Sequence, residues 1–175
     1  NSDGSFQKQC RRRFPEPGSA FFRLFGLARL LPDHRLSSSY EMQVEGIDQT
    51  HEIDAVSGAF MSFPQSLISE IGMFDEGYFL MGEDLDFCYR TKAAGYPVIY
   101  YPDASVIHHH GASRRTRPIR SIYYGHYAMY RYYRKFLAIK YSPFTSFFVY
   151  FGILSHLIGL SSLRCLDKLV KGRVS

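Results

Sequence analysis

Residues 74–86 place five carboxylates, Asp75, Glu76, Glu83, Asp84 and Asp86, among Phe, Tyr, Leu and Met. Acids set in apolar surroundings must pair, bind metal or do acid–base work, because an uncompensated charge leaves water only at high cost. The run Gly82-Glu83-Asp84-Leu85-Asp86 opens a helix predicted over 83–94, closed by Gly95 with Pro97 just beyond. Acids in a first helical turn sit at the positive end of the helix dipole, which favours their charged forms. A charged carboxylate in a partly dry cleft suits a general base that takes a proton from a hydroxyl. Glu83 and Asp86 already give the helix start more acid than a cap requires, which leaves Asp84 for chemistry. Asp86 is expected to grip Arg90, one turn later. Asp75 and Glu76 read equally well as structural caps and as functional acids.

The flanking pattern is α/β. Residues 52–63 read as a strand, with Gly58 allowing close backbone approach. Pro64 opens a short helix over 64–71. Residues 72–82 form a Gly- and aromatic-rich loop, and 98–101 and 105–108 read as strands split by a Pro-Asp turn. Strands and helices in this order predict an α/β fold. Residues 1–50 are loop-rich, with a basic cluster at Arg11, Arg12 and Arg13 and a short amphipathic helix over 21–31. A second chemical signal is His108-His109-His110, followed by Arg114, Arg115 and Arg117. Imidazoles ligate divalent metals and arginines neutralise phosphates. On an extended backbone His108 and His110 share one face, so one or two of the three are candidate ligands.

With 175 residues, 46% of them hydrophobic and 21% charged, the chain can bury a real core. Its formal charge of +5 favours anionic partners. The three cysteines match no metal or redox spacing and read as reduced thiols. The opening Asn1-Ser2-Asp3-Gly4-Ser5 is turn-like rather than a natural start, so the sequence reads as a piece of a longer protein.

The character changes at about residue 119. Tyrosines and bases interleave through 119–140, predicted as one long helix, and residues 141–163 then carry no formal charge. That length approaches the ~20 residues needed to cross a bilayer, although Ser, Thr and His156 dilute it. Arg134, Lys135 and Lys140 flank the run on one side, and Arg164, Lys168, Lys171 and Arg173 on the other. Such flanks suit a segment in or on an anionic cytoplasmic leaflet, which predicts membrane association at the cytoplasmic face of the cell membrane.

Three ordered stretches resemble the acceptor-side half of family 2 glycosyltransferases, of the rhamnosyltransferase-like kind. They are Val56-Ser57-Gly58-Ala59-Phe60-Met61, Ile71-Gly72-Met73-Phe74-Asp75-Glu76 and Gly82-Glu83-Asp84-Leu85-Asp86-Phe87-Cys88-Tyr89-Arg90. Ala93-Ala94-Gly95-Tyr96 and Tyr101-Pro102-Asp103-Ala104-Ser105-Val106-Ile107-His108 extend the series. The resemblance implies a partial GT-A-type domain over 1–115, a mixed sheet with flanking helices, followed by a helical, membrane-associating extension over 116–175. It implies transfer of a sugar from a nucleotide-sugar donor, with dTDP-rhamnose as a candidate, to a glycan or polyprenyl-linked acceptor, with inversion. Asp84 would be the catalytic base, supported on the acceptor side by Glu83, Asp86, Asp75 and Arg90. Ser57, Gly58, Ala59 and Arg114 would face the donor, and His108 would help hold Mg²⁺ or Mn²⁺. The family's nucleotide-binding half is absent here, since the only Asp-x-Asp is Asp84-Leu85-Asp86. The chain alone is therefore expected to be inactive.

Two other classes compete. A basic aromatic module over 114–140 could hold single-stranded nucleic acid, but the acids at 75–86 would repel phosphate and remain unexplained. A metal-dependent hydrolase using Asp84, Asp86 and His108 would need more ligands around one centre. The transferase reading, with no nucleic-acid partner, accounts for more of the residues.

Overall fold

The computed structural model describes residues 1, 3–31, 46–108 and 118–171. The chain divides into two compact units, Asn1–Tyr78 with Gly82–His110, and Phe79–Met81 with Gly111–Ser175. The expected boundary at 115/116 falls outside the described residues.

The first unit contains β1 (Arg11–Arg12), α1 (Pro17–Leu24), α2 (Leu27–Leu30), β2 (His51–Ile53), β3 (Ala55–Val56), α3 (Gln65–Ile71), α4 (Glu83–Ala93) and β4 (Val98–Tyr100). The predicted mixed sheet is not what the described strands form. They make two antiparallel pairs, β1 with β3 and β2 with β4. The single strand predicted over 52–63 breaks at Asp54, whose carboxylate accepts a hydrogen bond from the Phe14 amide at 3.0 Å and one from Lys92 Nζ at 3.1 Å. Those bonds divert the chain between two partners, so β2 pairs with β4 and β3 with β1. The strand predicted over 105–108 does not form, and Val106 and Ile107 lie exposed.

Helix α4 follows its prediction closely. Gly82 enters with φ 99° and Gly95 leaves with φ 88°, both in the left-handed region that glycine adopts without a side-chain clash. Acids occupy its first turn, and Arg90 and Lys92 its last, which complements the dipole at both ends. Its Asp84, Phe87, Cys88 and Thr91 positions are buried at helical spacing. Phe87 joins Phe63 and Phe74 in an aromatic cluster with centroids 4.8 and 4.9 Å away. Ile53, Ala55, Leu67, Leu85 and Val98 complete this core. Arg11 is wholly buried, its guanidinium lying over the rings of Phe6 and Tyr100.

The second unit is a helical hairpin. Helix α5 (Pro118–Tyr132) continues through a wide π turn over Tyr133–Leu137 and a 3-10 turn over Ala138–Lys140, so the long helix predicted for 119–140 changes pitch near its end. Helix α6 (Pro143–Lys171) then runs antiparallel to it, as contacts His126–His156, Tyr130–Tyr150 and Tyr133–Ser146 require. The carbonyl of Ile122 lies 2.7 Å from Nδ1 of His126, so that nitrogen donates. The Nε2 of His126 lies 2.8 Å from Nδ1 of His156, so one hydrogen bond joins the two rings. Tyr132 and Tyr133 are buried and help to fill the hairpin, while Tyr123 is exposed.

Candidate active site

The start of α4 brings Asp84 under the turn after β3. Asp84 is buried, and its Oδ2 receives two hydrogen bonds, from Arg12 Nη2 at 2.6 Å and from the Gly58 amide at 3.0 Å. The same Arg12 nitrogen donates to the Val56 carbonyl at 3.1 Å. Asp84 Oδ1 accepts from the Leu85 amide at 2.7 Å. Three segments thus meet at one carboxylate: β1 supplies a guanidinium, the turn after β3 a backbone N–H, and α4 the acid. The β1–β3 register, Arg11 opposite Val56 and Arg12 opposite Ala55, carries Arg12 to this point.

Gly58 serves here through its N–H. A Cβ at that position would lie 3.4 Å from the Asp84 Cβ and 3.8 Å from Glu83 Oε1, ordinary contact distances. Ser57 turns its hydroxyl back on the Ala59 amide at 3.3 Å. Of the residues assigned to the donor side, Ser57, Gly58 and Ala59 therefore form the turn beside Asp84, and Arg114 lies outside the described residues.

Glu83 differs from its neighbour. Its Oε2 is buried with no hydrogen-bond partner. Burial pushes its carboxyl above the usual carboxylate range, and the charge of Asp84 pushes in the same direction. The expectation that the helix start favours the charged form therefore fails for Glu83, because loss of water outweighs the dipole. Cys88, one turn after Asp84, is buried, and burial raises its thiol to about 11, which marks a packing residue rather than a nucleophile.

The remaining predicted site residues lie in separate arrangements. Asp86 is fully buried and accepts from Arg90 Nε at 2.7 Å, the predicted grip. Arg90 also donates to the carbonyls of Ile71, Gly72 and Met73, which close α3 and the following turn. Asp75 accepts from the Gly77 amide at 2.9 Å in a local turn. His108 Nδ1 lies 3.2 Å from Gln7 Oε1. Among the described residues no three His, Cys, Asp or Glu side chains converge as metal ligands, so these residues do not by themselves fit a divalent-cation site. His109 and His110 lie outside the described residues. Arg12 was visible in the sequence only as part of a basic cluster; strand alternation separates it from Arg11 and Arg13 and is the one signal that could have singled it out.

Residues 35–120 match the family model described as glycosyltransferase like family 2. The match takes in Ser57 to Ala59, Glu83, Asp84, Asp86 and His108, and leaves Arg12 outside. Over that stretch the chain is similar to family 2 glycosyltransferases, and the relatives it resembles there include rhamnosyltransferases. Among its curated relatives is the N-acetylglucosaminyl-diphospho-decaprenol L-rhamnosyltransferase of Mycobacterium tuberculosis, 36% identical over 63 residues, 36% of this chain and 20% of that protein. Rhamnosyltransferase WbbL of Escherichia coli is 35% identical over 65 residues, 37% of this chain and 25% of its own length. The low-salt glycan biosynthesis hexosyltransferase Agl10 of Haloferax volcanii is 30% identical over 78 residues, 45% of this chain and 22% of its own length. The matches thus span a quarter or less of each relative. No solved structure matches the chain.

Proposed function

We propose that the protein carrying this chain transfers a sugar from a nucleotide-sugar donor to a glycan or lipid-linked glycan acceptor, with Asp84 as general base. The observation that carries this reading is a buried carboxylate, fixed in orientation at a helix start, inside the family-matched segment. In a single in-line displacement the acceptor hydroxyl oxygen bonds to the anomeric carbon as the bond to the diphosphate oxygen breaks. The hydroxyl proton passes to Asp84, the nucleoside diphosphate leaves, and the anomeric centre inverts. The names of the mycobacterial and E. coli relatives make L-rhamnose the leading sugar, and the former a polyprenyl-diphosphate-linked acceptor.

A divalent cation, Mg²⁺ or Mn²⁺, enters through the family resemblance. Of the described residues only His108 is a candidate ligand, so no step is assigned to the metal. Transfer that survives EDTA would remove the cation from the reading. The bare apolar face of α6 supports docking on the cytoplasmic membrane surface, where a lipid-linked acceptor would be presented.

The deciding experiment is transfer by the complete protein from dTDP-rhamnose to N-acetylglucosaminyl-diphospho-decaprenol. Asp84→Asn is expected to cost at least ~10²-fold in kcat while donor binding persists, the usual range for a lost general base. A dead Glu83→Gln beside an active Asp84→Asn would move the base to Glu83. Wild-type protein that transfers no sugar from any nucleotide-sugar donor would sink the reading.

A further inference from the structure

We infer that Arg12 is the positioning residue for Asp84, holding Oδ2 so that Oδ1 is the atom that receives the acceptor proton; this rests on the proposed transferase reading. A carboxylate oxygen has two lone-pair sites. Both sites of Oδ2 are taken, by Arg12 Nη2 at 2.6 Å and the Gly58 amide at 3.0 Å. Oδ1 accepts one bond, from the Leu85 amide, which leaves one lone pair open. The arrangement is directional as well as charged. Arg12 Nη2 is itself oriented by the Val56 carbonyl, so the guanidinium cannot follow Asp84 if the carboxylate rotates. The two side chains are only 16% and 12% exposed, so water replaces this bond poorly and screens it weakly.

The ion pair joins residues 72 apart in sequence, and β1 is a strand of just two residues, Arg11 and Arg12. A helix cap would not require such a connection, since Asp84 is already placed by its own helix. The arginine adds orientation at the one carboxylate the proposed reaction uses. An error of about 1 Å in a reacting group can cost about 10²-fold in rate, which sets the size of the expected effect.

The test compares Arg12→Gln and Arg12→Lys in the complete protein, with dTDP-rhamnose and N-acetylglucosaminyl-diphospho-decaprenol as substrates. Arg12→Gln should lower kcat about 10²-fold with the donor KM changed less than about threefold, because the interaction matters in the transition state rather than in donor binding. Arg12→Lys keeps the charge and should recover at least about tenfold of that loss. A merely structural arginine would instead shift the thermal midpoint and the amount of folded protein without splitting kcat from KM. The inference is overturned by normal kcat in Arg12→Gln, by donor KM rising in step with the loss, by no recovery in Arg12→Lys, or by loss of the cooperative thermal transition in Arg12→Gln. A fully active Arg12→Gln beside a dead Asp84→Asn fails this inference alone, whereas inactive wild type fails the transferase reading itself.

Discussion

Two adjacent acids at the start of α4 show how little sequence distance separates different chemistry. Asp84 is met by a guanidinium and a backbone amide, while Glu83 keeps a buried oxygen without a partner. Burial raises the Glu83 carboxyl first, with the charge of Asp84 adding to it. A raised folded value means the native state holds this proton more tightly than the unfolded chain does. The resulting stability is present below the ordinary unfolded value and is lost as pH rises through the folded one. Glu83→Gln is therefore expected to stabilise the protein at pH 7, by at most about 1 kcal/mol because the group is only half-buried. The gain should vanish at acidic pH, where both side chains are neutral. Thermal midpoints of the two proteins at pH 7 and pH 4 check this; an equal gain at both would mean that packing rather than charge is responsible. The place of Asp84 at a helix start was legible from Gly82 and the acids that follow. Its partner was not, because the Arg12 contact depends on the β1–β3 register, which no local pattern in either segment specifies.

Helices were more legible than strands, for a physical reason. Helix α4 carries its own start, amphipathic spacing and stop within fifteen residues, from Gly82 to Gly95 and Tyr96. Strands need partners, and the partners here are short and distant. The break at Asp54 comes from bonds to Phe14 and Lys92, 40 and 38 residues away, and the segment 105–108 finds no ladder despite its β-like composition. One element-level device was readable: the i, i+4 pair Asp86–Arg90. It fastens α4 to the end of α3, because the guanidinium that Asp86 holds also collects the carbonyls of Ile71, Gly72 and Met73. Removing one partner of a buried ion pair leaves the other poorly compensated and typically costs about 3–5 kcal/mol. Asp86→Ala should therefore lose about that much stability in urea denaturation. A fully stable Asp86→Ala would mean that Arg90 keeps its carbonyl contacts unaided, and Asp86 would then need another role.

At the scale of the whole chain, the net charge of +5 and the bare face of α6 point to the same partner. Phe144, Phe147, Phe148, Phe151, Leu154 and Ile158 recur at helical spacing, and all are more than half exposed. The opposite side of the helix carries Ser146, Tyr150 and His156, which contact α5. The candidate span Pro143–Asp167 covers 25 residues, about 37 Å of helix at 1.5 Å per residue, long enough for the hydrocarbon core of a bilayer. Length and composition alone do not distinguish a core helix from a membrane helix. The exposure of this face argues for lipid, and the basic residues at either end argue for an anionic surface. The complete protein is therefore expected to float with vesicles rich in phosphatidylglycerol. Phe147→Glu combined with Phe151→Glu should weaken that binding more than tenfold, since burying a phenylalanine contributes about 1.5–3 kcal/mol. Alkaline carbonate distinguishes the two modes of attachment: release would place α6 on the surface, retention would place it across the bilayer. A double variant that floats as well as wild type would assign this face to a protein partner and remove the membrane from the proposed setting of the reaction.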